Sequence, residues 1–171
     1  MRYALPGDQT GGRVSALVIC VGNPYRHDDG VGVRAYELLQ QAELAGVSVV
    51  EETGESTGLV ARWAGHDEVI LVDAGHADSP PGTIHRLEFG DGRWQAPALP
   101  GNASTHGLGV AEAMQLGEVL DQLPQRLVLF AVETADTSSG VGLSPEVEAA
   151  LPDLVTAVIS ELDVAAPQPA H

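Results

Sequence analysis

The sequence of 171 residues holds a single cysteine, Cys20, so no disulfide can form within the chain. That cysteine lies inside the apolar run Ala16 to Val21, where a thiol behaves as a small hydrophobe and not as a nucleophile. Basic residues are scarce as well: 8 Lys and Arg stand against 24 Asp and Glu, a formal net charge of −16. Nucleic acids and anionic membranes are poor partners for such a surface, whereas a basic protein or a metal cation is easier to attract. No apolar stretch approaches the roughly 20 residues of a membrane span, and MRYALPGDQTGGR lacks the apolar core of a secretory signal. These absences describe a soluble cytoplasmic protein, expected to act as a monomer. Several chemical signatures are missing too. There is no HExxH, CxxC or GxSxG motif, and VGNPYRHDDGVG departs from GxGxxG because Asn-Pro follows its first Gly.

What is present alternates between strand and helix signals. Apolar runs from about Ser15 to Gly22, Val47 to Glu51, Asp67 to Ala74 and Arg126 to Val132 read as strands, and those at 67–74 and 126–132 are continuous, as in strands covered on both faces. Thr83 to Phe89 alternates like an edge strand, with an antiparallel setting open to it. Helical periodicity starts near Gly30, where Val31, Ala35, Leu38, Leu39 and Ala42 share a face, with Gly46 as its stop. Further helices are expected over Leu59 to Ala64, from Leu108 to about Leu123, and after Ser144-Pro145-Glu146, where Ser is a cap and Pro152 should bend the early turns. The pattern predicts an α/β fold: a three-layer, mostly parallel twisted sheet of about five strands with helices on both faces. One domain over 14–164 is expected, between loose tails at 1–13 and 165–171. Gly90 to Thr105 has no clear period, and long irregular segments of this kind are often functional.

Polar groups fall where strands end or helices begin: Asp28 and Asp29 after the first strand, Asp73 after four buried aliphatics, His106 at the head of a helix, and Glu133 after the last strand. Ligands of open α/β sheets bind outside the carboxyl ends of the strands. Asp29, Asp73 and His106 together offer two carboxylates and an imidazole, a set suited to nickel, zinc or manganese. Plainer roles exist for each. Asp28 and Asp29 can cap the first helix, with Asp28 best read that way. His106 can belong to a hydrogen-bonded helix start with Ser104 and Thr105, and Glu133 either joins the site or is a solvated strand end. His27 can extend the site, while His66, His76, His85 and His171 are weaker candidates. A Ser104/His106 nucleophile pair ranks below the metal reading, because adjacent residues rarely reach that geometry.

In combination, VGNPYRHDDGVG, VDA at Val72 to Ala74 followed by PPGTIHRL, STHGLG at Ser104 to Gly109, and VETADTSSGVGLSPEV resemble the hydrogenase maturation protease family from about Val18 to Leu162. The resemblance implies an endopeptidase that removes a C-terminal extension from the large-subunit precursor of a nickel-iron hydrogenase after nickel insertion. It also implies metal-binding and catalytic roles for Asp29, Asp73 and His106, with nickel supplied by the bound precursor. Two positions depart from the pattern. Some members carry Glu in place of Asp29, and many carry Asp where this chain has Thr53, which turns attention to Glu52 or Glu55. Thr53 also leaves room for a non-catalytic, precursor-binding or metal-checking module, and a metal-dependent hydrolase of a small substrate is a third reading. Whether the metal activates the scissile carbonyl or water, or only positions the substrate while a carboxylate takes the proton, is open at this level.

Overall fold

The computed structural model describes residues 16–90 and 105–165, the side chains of 105–108, 164 and 165 excepted. The tails expected at 1–13 and 165–171 lie outside the described residues, apart from Ala165, and so does most of the irregular segment 90–105. Five strands form one sheet: β1 (Ala16–Val21), β2 (Val47–Glu52), β3 (Glu68–Gly75), β4 (Ile84–Gly90) and β5 (Arg126–Glu133). Their order is β2-β1-β3-β5-β4. All neighbours are parallel except the edge strand β4, which runs antiparallel to β5. Among the described residues, four α-helices flank the sheet: α1 (Val31–Gln41), α2 (Ser56–Trp63), α3 (Thr105–Val119) and α4 (Pro145–Ala165). This is the mostly parallel, three-layer architecture that the apolar runs predict.

Alternation along the central strands divides the core in two. Val18, Cys20, Ile70, Val72, Val128 and Phe130 pack beneath α1 and α4. Leu17, Ile19, Val69, Leu71, Leu127 and Leu129 pack beneath α2 and α3 around Trp63. Because successive strand residues face opposite sides, Asp73, Ala131 and Glu133 continue the second set. The strand edge β4 is tied down by charge: Arg86 Nε donates to Glu161 Oε2 of α4 at 2.8 Å, Arg126 Nε donates to Glu88 Oε1 at 2.7 Å, and Arg126 also pairs with Glu161. The hydrogen bond from Arg86 holds the Glu161 carboxyl down to about 2, against the opposing effect of its burial.

Some element ends differ from the sequence reading. The first helix stops at Gln41, because Ala42 N bonds to Leu39 O in a tightened last turn and Glu43 then turns left-handed at φ 47°. The third begins at Thr105 and ends at Val119, before a left-handed Asp121 at φ 53°. The second gains a turn and starts at Ser56, and α4 continues through Pro152.

Glycines fix how α1 meets β1. A Cβ on Gly32 would lie 1.9 Å from the Val21 carbonyl oxygen, and one on Gly22 would lie 2.4 Å from the Asp29 carbonyl oxygen. Both obstacles are backbone, which cannot swing aside. Gly32→Ala is therefore expected to cost about 3 kcal/mol or more, the upper end for overpacking, read as a lowered denaturation midpoint.

Candidate functional site

From β1 the chain crosses to β2 on one side, while β3 lies on the other. A sheet of this kind opens a crevice at that reversal, outside the carboxyl ends of the strands. Asp29 stands just past β1 and Asp73 near the end of β3, and both are buried. The 3₁₀ turn His27–Gly30 that carries Asp29 touches β3 directly. Asp73 Oδ1 accepts the Ala74 amide at 2.8 Å.

Asp29 is held through its backbone. Its carbonyl accepts the Asn23 amide at 3.0 Å and its amide donates to Arg26 O at 3.1 Å, so the loop folds back onto the strand exit. The 134–144 loop supplies the outer support. His27 N donates to Gly140 O, Asp28 N to Asp136 O and Gly140 N to Tyr25 O, each at 2.9 Å, while His27 Nδ1 lies 3.0 Å from Gly142 O.

Asp28 is not the helix cap that the sequence suggests: neither the 3₁₀ turn nor α1 has a side-chain cap. Its carboxylate is fully buried and accepts Ala135 N (2.8 Å), Asp136 N (3.0 Å), Ser144 N (2.6 Å) and Ser144 Oγ (2.9 Å). Burial alone would push this carboxyl up, but the donors of Ser144, Asp136 and Ala135 hold it below its ordinary value. The Ser144 hydroxyl, expected as a cap, donates its hydrogen bond to Asp28 instead. Asp28 therefore fastens the second loop to the first.

The third proposed ligand, His106, is the second residue of α3, and its side chain lies outside the described residues. The path of its helix is clear. A Cβ on Gly109 would stand 2.1 Å from Gly54 O, so the first turns of α3 rest directly on the loop after β2, and α3 also touches β3. His106 thus starts a helix seated over the β2 and β3 ends. Among the described residues, no three His, Cys, Asp or Glu side chains are grouped to hold a metal. Of the alternatives near Thr53, Glu52 is committed: its Oε1 accepts Arg62 Nε at 3.0 Å and its Oε2 accepts Thr53 N at 3.2 Å. Glu55 is exposed at the start of α2. Burial, with Glu51 nearby, pushes the Cys20 thiol up to about 12, so it stays protonated and unreactive at neutral pH.

A sequence model of the hydrogenase maturation proteases (HycI) matches residues 33–161. The chain belongs to the hydrogenase maturation protease family. It is 31% identical over 150 residues to hydrogenase 2 maturation protease of Escherichia coli (strain K12), covering 85% of this chain and 89% of that protein. It is also 31% identical over 137 residues to the hydrogenase expression/formation protein HupD of Thiocapsa roseopersicina, covering 77% of this chain and 60% of that relative's length. Among solved structures, the hydrogenase maturating endopeptidase HybD from E. coli superposes with a TM-score of 0.76 at 28% identity, over 88% of this chain and 93% of that one. Among the described residues, no helix of this family member is long and apolar enough to cross a membrane.

The structure of this maturation protease family member also assembles a group that the sequence reading ranked low. Glu133, buried at the end of β5, accepts the Ala77 amide on both oxygens, at 3.0 and 2.9 Å. Its Oε2 lies 3.2 Å from His85 Nε2, and its Oε1 lies 3.3 Å from His76 Nδ1. It is thus no solvated strand end. The one available signal was a carboxylate placed directly after the continuous apolar run 127–132. The two histidines come from a loop and an edge strand, and no periodicity links them to it.

Proposed function

We propose that this protein is the endopeptidase that removes the C-terminal extension of a nickel-iron hydrogenase large-subunit precursor once nickel is in place. The observation that carries this reading is the pair of buried carboxylates, Asp29 and Asp73, at the ends of adjacent parallel strands where the sheet order reverses. Two carboxylates brought to one edge of the sheet are donors of the class that a divalent cation takes. Membership of the maturation protease family and the likeness to hydrogenase 2 maturation protease and the endopeptidase HybD support the same reading. Asp29, Asp73 and His106 would hold the nickel of the precursor, a borderline cation suited to carboxylate and imidazole donors. Held there, it supplies polarisation of a nearby carbonyl and a fixed position for the scissile segment. The acidic surface, with its charge of −16, favours encounter with a more basic partner.

The test is incubation of the purified protein with the nickel-loaded large-subunit precursor of its own organism, followed by intact-mass measurement. Loss of one C-terminal peptide is expected with the loaded precursor and none with the nickel-free one. An unchanged mass of the loaded precursor would reject the endopeptidase reading.

A further inference from the structure

On the sheet face covered by α2 and α3, Asp73 and His85 both pair with Ala131, so the three residues lie in one row across β3, β5 and β4. Glu133 sits two residues beyond Ala131 on the same face, opposite Gly75. Strand spacing and rise put its Cα about 8 Å from that of Asp73. The floor between them is low, since a Cβ on Gly75 would touch the Ala131 side chain at 3.1 Å. His76 follows Gly75 and is half exposed, with Nδ1 3.3 Å from the buried Glu133 and Nε2 3.5 Å from the exposed Asp78. A carboxylate facing one ring nitrogen fixes the tautomer and leaves the other nitrogen to exchange protons. The other carboxylates of this region for which partners are described are engaged: Asp28 by four donors and Glu52 by Arg62.

We propose that His76 is the general acid–base group of the peptide cleavage and that Glu133 is its positioning residue, an assignment that rests on the endopeptidase reading. The water oxygen bonds to the scissile carbonyl carbon while one water proton passes to His76 Nε2. That proton is then delivered to the amide nitrogen as the C–N bond breaks, which yields the carboxylic acid and the free amine and returns His76 to its neutral form. Asp78 is exposed on the outer side of the ring, with Oδ1 3.5 Å from Nε2. Charged and titratable groups around His76 are Glu133 from β5, Asp78 from the loop after β3, and His85, which shares Glu133, from β4.

The experiment compares wild type, His76→Ala and Glu133→Gln on the nickel-loaded precursor. His76→Ala is expected to lower kcat about 10²- to 10⁴-fold, the usual range for a general acid–base group. KM should hold within a few-fold, the melting curve should be unchanged, and added imidazole should restore part of the rate. Glu133→Gln keeps an acceptor for the Ala77 amide but removes the carboxylate that faces Nδ1, so kcat should fall while KM holds within a few-fold. Nitrogen NMR shifts of His76 should report an Nδ1–H tautomer in the wild type, with that preference weakened in Glu133→Gln. A His76→Ala variant that cuts within about threefold of wild type, or that is slow but gains nothing from imidazole while Glu133→Gln keeps the wild-type kcat and tautomer, overturns the assignment alone. A wild type that leaves a verified precursor whole overturns the endopeptidase reading with it, so the two failures are distinct.

Discussion

Asp73→Asn is expected to lower precursor processing sharply in a protein that still folds. The side chain is buried, and its Oδ1 accepts the Ala74 amide at 2.8 Å. Asparagine keeps that acceptor and nearly the same shape. What it removes is the negative charge that a cation brought by the substrate would meet. Processing of the nickel-loaded precursor should fall at least about 10²-fold, the scale seen when one positioned electrostatic group is lost. The variant should still unfold in one cooperative thermal transition. A variant with full activity removes Asp73 from the site, and one that is inactive only because it has unfolded assigns Asp73 to structure.

The opposite outcome is expected one residue from Asp29. Asp28→Ala should destabilise the protein by about 3 to 5 kcal/mol, since it strips four donors of a buried charged acceptor at once and each orphaned donor carries a penalty. Those donors belong to residues 135, 136 and 144, so the loss falls on the clasp between the two loops around Asp29. The pH dependence has a definite sign. Because the folded state holds the Asp28 carboxyl below its ordinary value, its contribution is present above the unfolded pKa of about 3.9 and is lost as pH falls through the lower folded value. Urea melts across this acid range should slope in the wild type and flatten in Asp28→Ala. An equally steep slope in the variant would place the acid sensitivity elsewhere.

The contrast between neighbours shows what a sequence can and cannot display. The runs Ala16 to Val21, Glu68 to Gly75 and Arg126 to Glu133 are apolar on both faces, and only a parallel sheet sandwiched by helices buries them that way. The edge position of β4 was equally legible in its alternation. So were carboxylates following long aliphatic runs, because a charge at such a place must be compensated. The division of labour between Asp28 and Asp29 was not legible, since the partners of Asp28 lie 107 to 116 residues away and local reasoning finds only a helix start. Glu133 was half visible for the same reason. Its position after a buried strand was a signal, but its partners His76 and His85 sit on elements whose only common feature is adjacency in the folded sheet.

The central claim is that Asp29, Asp73 and His106 converge on one cation. Anomalous scattering at the nickel edge from crystals of the protein with its nickel-loaded precursor tests this most directly. One peak is expected within about 2.0 to 2.2 Å of a carboxylate oxygen of Asp29, a carboxylate oxygen of Asp73 and a ring nitrogen of His106. A peak bound by other side chains, or by Asp29 and Asp73 without His106, would contradict it.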